Sequence, residues 1–569
     1  MMNLFHPRFD YHRHHHPSFI PNSKPLISLH RPCSRLATPV KEDYEMRVEE
    51  LRQYLEGSHG QKHSLVMVDA IHRLGLTNQY RSQINAAILN HHYSFQTKSQ
   101  SQSPLLHCNG IPSLANVSLS FRLLRCHGYH ITADVFNDLK GRGGWSDVDR
   151  RRPDIDIAGL MELYEAAQLS FEGETILDEA EEFSSKILHQ YCLSNPHTDS
   201  ILSNNIYVRL KHPYHKSLTQ ITQRDIVLIK DRGASEKPYR WEHALRSVVE
   251  MDLHMKQSLF EDELVHAHKW WNGLGLSKEL KLARNQPKKW YIWSMAMLMG
   301  NIGLSEERIL LTKSIAFIYI LDDVFDLYGT PHELAAFTQA IEKWDYDAAG
   351  TLPDYMKMCY KALLDTTNDI ARAIYIKHGH NPIDYLKKMW ANLCKAFYIE
   401  AKWFTSGKVP SAREYLENGK VSSGVYVLLA NLYFLLGLHG TETRVDCGMS
   451  TVISSVATIL RLWDDLGNAK DEHQDGKDGS YIACYMEDNR HVSLAQAREH
   501  VKKMIAIEWK RLNKECLCSY NNLSTTRALF HEASLNLARM VPLMYNYNDS
   551  QQLPDLEEFI QNLFSSKIS

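Results

Sequence analysis

The chain reads as an all-α protein in two helical domains. From about residue 43 onward, amphipathic stretches at the helical period recur, as in Tyr44 to Leu55 and Ile157 to Ala167, while period-two alternation is scarce. Gly and Pro punctuate these stretches and do not dominate them. At 569 residues the chain is longer than one hydrophobic core ordinarily organises. The formal net charge of -3 argues against a nucleic-acid partner, which needs a strongly basic face. No repeat of solenoid type is evident.

The N-terminal segment, residues 1–42, differs from the rest. Its first forty residues carry Arg8, Arg13, Lys24, Arg31 and Arg35 against the single acid Asp10, with several Ser and Pro and a His-rich run from His12 to His16. It lacks a long apolar stretch, so a secretory signal is not expected. Basic and acid-poor composition reads as an organelle transit peptide, giving the plastid (chloroplast) as the expected compartment and the cytoplasm as the alternative. The histidines read as low-complexity sequence and not as a metal site. Loops are expected at Gln96 to Pro104, at Gly141 to Ser146 and at Lys230 to Pro238. The last, near mid-chain, is taken as the junction between domains at 43–235 and 236–569.

Val425 to Leu438 is apolar, but it is short for a spanning helix and is interrupted by Asn431. A buried core helix is expected there, and no membrane span. The ten cysteines have irregular spacing, and the nearest pair, Cys516 and Cys518, fits neither a zinc nor a thioredoxin pattern. Reduced thiols are expected.

The chemistry sits in two acidic clusters. The first is Asp322-Asp323-Val324-Phe325-Asp326, the second runs from Arg461 through Asp464, Asp465 and Asn468 to Glu472. Helical residues four apart share a face, so Asp322 pairs with Asp326, and Asp464, Asn468 and Glu472 line up with Arg461 on the same stripe. A lone acidic cluster of this kind reads as a solvated helix face. Here each one follows an apolar run, Ser314 to Leu321 and Val456 to Leu460. Carboxylates stacked at the end of a core helix repel one another unless a cation neutralises them. Their donors are all oxygen, which suits a hard divalent ion bridging to substrate phosphates. Arg461 adds a planar fork for a phosphate oxygen.

With these motifs the chain resembles the class I terpene synthases of plants, from about residue 43 to the C-terminus. The likeness also rests on Gly128 to Phe136, Lys269 to Leu276 and Leu282-Ala283-Arg284-Asn285-Gln286. It implies a C-terminal catalytic domain of the class I terpenoid synthase fold and an N-terminal relict helical barrel. Asp154-Ile155-Asp156 only approaches an acid motif in that barrel, because Ile157 stands where its last Asp would be. The resemblance implies Mg2+, with Mn2+ as an alternative, held by Asp322, Asp326, Asp464, Asn468 and Glu472. Arg284 and Arg461 match diphosphate-binding arginines, so Arg284, Asp322, Asp326, Arg461 and Asp464 are the expected substrate contacts. The expected partner is a prenyl diphosphate, and the expected state a monomer. Trp290, Trp293, Tyr319, Tyr426 and the Ser422-Ser423-Gly424 helix break are candidates for an apolar pocket that shields a carbocation. For each aromatic, plain core packing competes with that role.

Departures from the family pattern bear on the product. A tandem-arginine motif with a following Trp is absent, since Arg151-Arg152 is followed at the required spacing by Met161. Asn285 and Gln286 stand where Asp and Arg are common, and Asn468 replaces Ser or Thr. The absent tandem-arginine motif resembles the subfamily that makes acyclic tertiary alcohols, linalool from geranyl diphosphate and nerolidol from farnesyl diphosphate. The altered Arg284-Asn285-Gln286 segment weakens retention of diphosphate, while the Asn468 amide oxygen can still ligate Mg2+. A cyclising mono- or sesquiterpene synthase is the alternative. A chain-elongating prenyltransferase fits less well, because the second cluster has the long Asp464/Asn468/Glu472 form. A catalytically dead binding homologue would show broken metal ligands, and only Asn468 is open to that question.

Overall fold

The computed structural model describes residues 38–57, 63–100, 107–108, 111–140, 145, 156–194, 200–218, 240–438, 447–468, 479–518, 524–548 and 552–564. They are almost wholly helical, apart from one two-residue antiparallel pair, His107 opposite Pro112 and Cys108 opposite Ile111. The helix expected around Tyr44 to Leu55 runs Thr38–Gly57, and that at Ile157–Ala167 has the expected bounds. Of the loop expected at Gln96 to Pro104, the part up to Gln100 belongs to the Arg81–Gln100 helix, and the rest lies outside the described residues. The segment Lys230 to Pro238, the first forty residues up to 37, and most of Gly141 to Ser146 lie outside the described residues.

Two hydrophobic cores form. One gathers residues such as Leu51, Ile71, Phe121, Leu163 and Leu188; the other includes Trp271, Trp290, Phe317, Leu429, Val456 and Leu537. The long helix Arg240–Leu274 serves both: Trp241, Leu245 and Val249 enter the first core, Phe260 and Trp271 the second. In the first core Asp156 caps the Ile157–Ala167 helix by accepting from Gly159 N at 2.8 Å, satisfying an otherwise orphaned donor. A buried charge network crosses this domain. Arg122 reaches Asp69 at 2.7 Å and Glu162 at 3.1 Å, and Arg73 and Arg209 share Glu162.

In the second core, Arg308 forms a two-pronged pair with Glu263, Nη2 to Oε1 at 2.6 Å and Nε to Oε2 at 2.8 Å. Tyr291 Oη donates to the same carboxylate at 2.8 Å. This fully buried pair ties the helix Ser305–Asp323 to Arg240–Leu274. Breaking one partner of such a pair leaves an uncompensated charge, at a cost of about 3–5 kcal/mol. Val425–Leu435 is the buried core helix expected of that apolar run, with Asn431 Nδ2 turned back onto the Val427 carbonyl at 2.8 Å. Among the described residues no helix is long and apolar enough to cross a membrane. The cysteines with described side chains, Cys516 and Cys518 among them, form no disulfide.

The two domains meet across a polar seam on the Leu494–Cys518 helix. Asn513 Nδ2 donates to the carbonyls of Gln168 and Ser170 at 3.0 and 3.1 Å. Its Oδ1 is then left to accept from His215 Nε2 at 2.7 Å. Burial first, and Arg539 nearby second, push the His215 imidazole down to about 3, so the ring stays neutral and keeps that donor role. Lys510 adds an ion pair to Asp178 at 2.6 Å. Replacing Asn513 by Ala strands three buried polar groups. At about 1–3 kcal/mol for each unsatisfied group, Asn513→Ala is expected to lower the urea midpoint, whereas Lys510→Ala, at a more exposed pair, moves it little. Parallel denaturation curves of the two variants check this.

Candidate active site

The first acidic cluster is placed by a helix that changes pitch. Ser305–Asp323 is an α-helix whose inner face buries Leu311, Ile315, Phe317 and Leu321. At Val324–Tyr328 it widens into a π turn, closed by Gly329 N to the Val324 carbonyl at 3.0 Å. Gly329 has no room for a Cβ, which would lie 2.3 Å from Leu334, and Thr330 and Glu333 form a capping box that starts a new helix with Pro331 in its first turn. Asp322 and Asp326 therefore share a face across an α-to-π junction and not along a regular α-helix. Both line the same cavity.

Asp323, between them, points away into the protein and holds Arg284. It accepts from Arg284 N and Nε, each at 2.7 Å, while Arg284 Nη2 reaches Asp322 at 2.5 Å and the Tyr319 carbonyl at 3.2 Å. The guanidinium also lies 4.7 Å from the centroid of the Tyr319 ring. Burial works against the charge on Arg284, but Asp322 and Asp323 outweigh it and strengthen its hold on the proton. Burial raises the Asp323 carboxyl above its usual range, opposed by Arg284.

The second cluster ends the helix Cys447–Asn468, whose buried face includes Val452, Val456, Ile459 and Leu462. Arg461 Nη1 reaches Asp464 Oδ2 at 3.2 Å, Nη2 reaches Ser422 Oγ at 3.2 Å, and Nε reaches the Gly419 carbonyl at 3.4 Å. Burial opposes its charge, and Tyr415, Asp464, Asp465 and Glu400 outweigh that penalty. Asp465 is turned inward like Asp323. It accepts from Tyr481 N at 2.9 Å and lies 3.0 Å from Tyr415 Oη, and burial pushes its carboxyl up to about 7. Gly467 lets this helix approach the Tyr545 backbone, where a Cβ would lie 2.4 Å from the carbonyl oxygen. The side chain of Asn468, and Glu472 entirely, lie outside the described residues.

One cavity of about 790 Å³ contains Arg284, Asp322, Asp326, Arg461 and Asp464 together. Trp293, Tyr319, Phe325, Phe397, Leu428 and Leu460 contribute to its apolar wall. Trp293 and Tyr319 line it as expected, joined by Trp293 Nε1 to Tyr319 Oη at 3.0 Å. Trp290 and Tyr426 do not line it; Trp290 packs edge-on against Trp271 in the core, with centroids 4.9 Å apart. The break at Ser422-Ser423-Gly424 does line it. Gly424 takes φ +74°, and a Cβ there would lie 2.5 Å from Ile318. Sequence reasoning missed Phe325, inside the first cluster, and also Phe397 and Glu400 on the helix Ile383–Ser406, with Tyr545 and Tyr547 at and just past the end of Thr525–Tyr545; these last four carry no local motif. Glu400 accepts from Ser422 Oγ at 2.6 Å and Asn418 Nδ2 at 3.0 Å, facing Arg461 across that serine.

Asp322, Asp326 and Asp464 offer the hard oxygen donors that suit a magnesium ion sharing its shell with a phosphate. Among the described residues no group of three or more His, Cys, Asp or Glu is gathered closely enough to hold a metal by itself. A site completed by substrate oxygens needs no such cage.

The description "Terpene synthase, N-terminal domain" matches residues 27–210, and "Terpene synthase family, metal binding domain" matches residues 272–511. A chloroplastic tricyclene synthase of Antirrhinum majus is 48% identical over 92% of this chain and 87% of its own length. An (E)-nerolidol synthase of Cannabis sativa is 44% identical over 88% of each chain. Isoprene synthase from grey poplar leaves (Populus x canescens), in complex with three Mg2+ ions and dimethylallyl-S-thiolodiphosphate, superposes with a TM-score of 0.81. It is 28% identical, with 94% of this chain and 98% of that one covered.

Gly424→Ala is expected to cost about 1–2 kcal/mol in left-handed backbone strain and to push Ile318 into the cavity. Thermal melts would show a modest loss of stability, and turnover would fall by more than that loss explains. An unchanged rate would mean that the break does not shape the reaction space.

Proposed function

The chain belongs to the plant terpene synthase family, a family of magnesium-dependent lyases acting on prenyl diphosphates, and on that premise we propose the following reaction. The enzyme ionises geranyl or farnesyl diphosphate, and water captures the allylic cation at its tertiary carbon, giving linalool or nerolidol. The observation that carries this reading is the single cavity in which two acidic helix ends and two arginines meet an aromatic and aliphatic wall.

Asp322 and Asp326 from one wall and Asp464 from the other, with Asn468 and Glu472 that follow it in the sequence, would hold Mg2+. When bound, Mg2+ supplies positive charge against the diphosphate leaving group. Arg284 and Arg461 present charge to the same oxygens. Each is already fixed, Arg284 by Asp323 and Arg461 by Gly419, Ser422 and Asp464, so little reorganisation is needed as charge develops. The faces of Trp293, Tyr319, Phe325 and Phe397 give the cation an apolar, polarisable surface and limit access of water.

Two features favour an acyclic alcohol. The Asn285 side chain is engaged by Trp271, whose Nε1 donates to Oδ1 at 2.7 Å, and Gln286 lines the cavity as a neutral amide where the family pattern has Arg. With the tandem-arginine motif also absent, the departed diphosphate is held without the further planar fork, beyond Arg284 and Arg461, that an Arg at position 286 would give its recapture and isomerisation. An extra isoprene unit adds only apolar surface, which such pockets discriminate weakly. A cyclising reaction is the second reading, favoured by the 48% identity to a tricyclene synthase.

Gas chromatography of the products of purified enzyme, given magnesium and each diphosphate in turn, tests the reading; mainly cyclic hydrocarbons from both substrates would sink the acyclic assignment. Asp322→Ala and Asp326→Ala are each expected to cut turnover about 100-fold or more with melting close to wild type, since Asp323 still pairs with Arg284. Near-normal turnover in both would remove these acids from the metal site.

The basic N-terminal segment and the chloroplastic tricyclene synthase together support a plastid address. A fluorescent reporter fused to residues 1–45 is expected to enter leaf plastids. A purely cytosolic signal would point instead to the fifteen-carbon substrate and nerolidol.

A further inference from the structure

We propose that Lys289 is a diphosphate-binding residue of this cavity, supplying a positive charge that Gln286 does not. The proposal rests on the prenyl diphosphate reading above. Pro287–Leu298 begins directly after Gln286, and Gln286 and Lys289, three residues apart, both line the cavity that holds Arg284, Asp322, Arg461 and Asp464. The two arginines already have carboxylates within ion-pair distance, Asp322 and Asp323 for Arg284, Asp464 and Asp465 for Arg461.

Lys289 differs. The residue is half-buried, and among the described residues no carboxylate lies within ion-pair distance of its ammonium and no side-chain hydrogen bond holds it. The charged groups that act on it from neighbouring elements are Arg284, of like sign, and Asp464, of opposite sign. A desolvated cation facing another cation and lacking, among the described residues, an anion in contact is an unfavourable arrangement in the free enzyme. A polyanion entering the cavity relieves it. Lining one cavity with both acidic helix ends, Lys289 is placed to meet diphosphate oxygens if those ends bind them.

The substitution of chemistry is unequal. A guanidinium holds two oxygens in a plane, whereas an ammonium is a compact point charge on a flexible stem. Lys289 would therefore assist departure of the diphosphate without orienting it for return. That division of labour agrees with early capture of the cation by water.

The test uses the full chain with Lys289→Gln and Lys289→Arg, and inorganic diphosphate as the probe. Lys289→Gln is expected to raise the inhibition constant of inorganic diphosphate about tenfold, the size of one charge-assisted contact, and to raise KM for the prenyl substrate. Lys289→Arg is expected to stay within about threefold of wild type, because charge is kept. An unchanged inhibition constant in a normally melting Lys289→Gln variant overturns the proposal. Equal loss in both variants with lowered melting assigns Lys289 to packing and overturns it too. A wild-type enzyme that neither turns over prenyl diphosphates nor responds to inorganic diphosphate overturns the functional reading itself, and this proposal with it.

Discussion

The site depends on one buried carboxylate. Asp323 takes both the backbone N–H and the Nε of Arg284, so a single side chain fixes an irregular loop and a guanidinium to the end of a core helix. Tyr328 extends the same clamp, with its hydroxyl accepting from the backbone N–H groups of Leu282 and Ala283. Loop, arginine and first acidic wall thus behave as one rigid unit. Without the Asp323 charge, Arg284 would be left partly buried beside Asp322 alone, and the loop would lose its anchor. Asp465 plays the matching part in the second wall, where Tyr415 and the Tyr481 backbone hold it inward. Each cluster therefore divides its acids, one set facing the cavity and one acid tying the wall down.

Helix ends do the aiming. An apolar helix can carry carboxylates only where it leaves the core, since a charge further in would need a buried partner. The π turn at Val324–Tyr328 re-aims Asp326 after the α-helix ends, and Gly329 closes it where no Cβ fits. On the other side, Gly419 lets Arg461 lie close against the neighbouring helix and Gly467 lets the backbone of Tyr545 come close. These glycines fix wall spacing through absent atoms. The fully buried Arg308–Glu263 pair anchors the other end of the helix that carries the first wall.

The N-terminal domain contributes through the seam at Asn513. That residue lies on Leu494–Cys518, the helix packed along Cys447–Asn468, where Ser455 Oγ also donates to Glu508 at 2.8 Å. The domain that carries no proposed catalytic residue therefore braces the helix that carries the second wall.

The all-α class, the apolar buried helix at Val425 and both acidic clusters were legible in the sequence, because helical period and acidic spacing are local properties. Asp322, Asp326, Asp464, Arg284 and Arg461 could be named for the same reason, each lying within a short motif. The roles of Asp323 and Asp465 could not, since adjacent aspartates look alike until packing turns one outward and one inward. Trp290 and Trp293, three residues apart in one helix, show the same limit: one fills the core and the other lines the cavity. Phe397 and Glu400 reach the site from the helix Ile383–Ser406 and Tyr545 from Thr525–Tyr545, and no spacing reveals that Lys289 has, among the described residues, no carboxylate within ion-pair distance. Sequence alone determined which chemistry the chain carries; tertiary packing decided which side chains face it, because direction depends on neighbours distant in the chain.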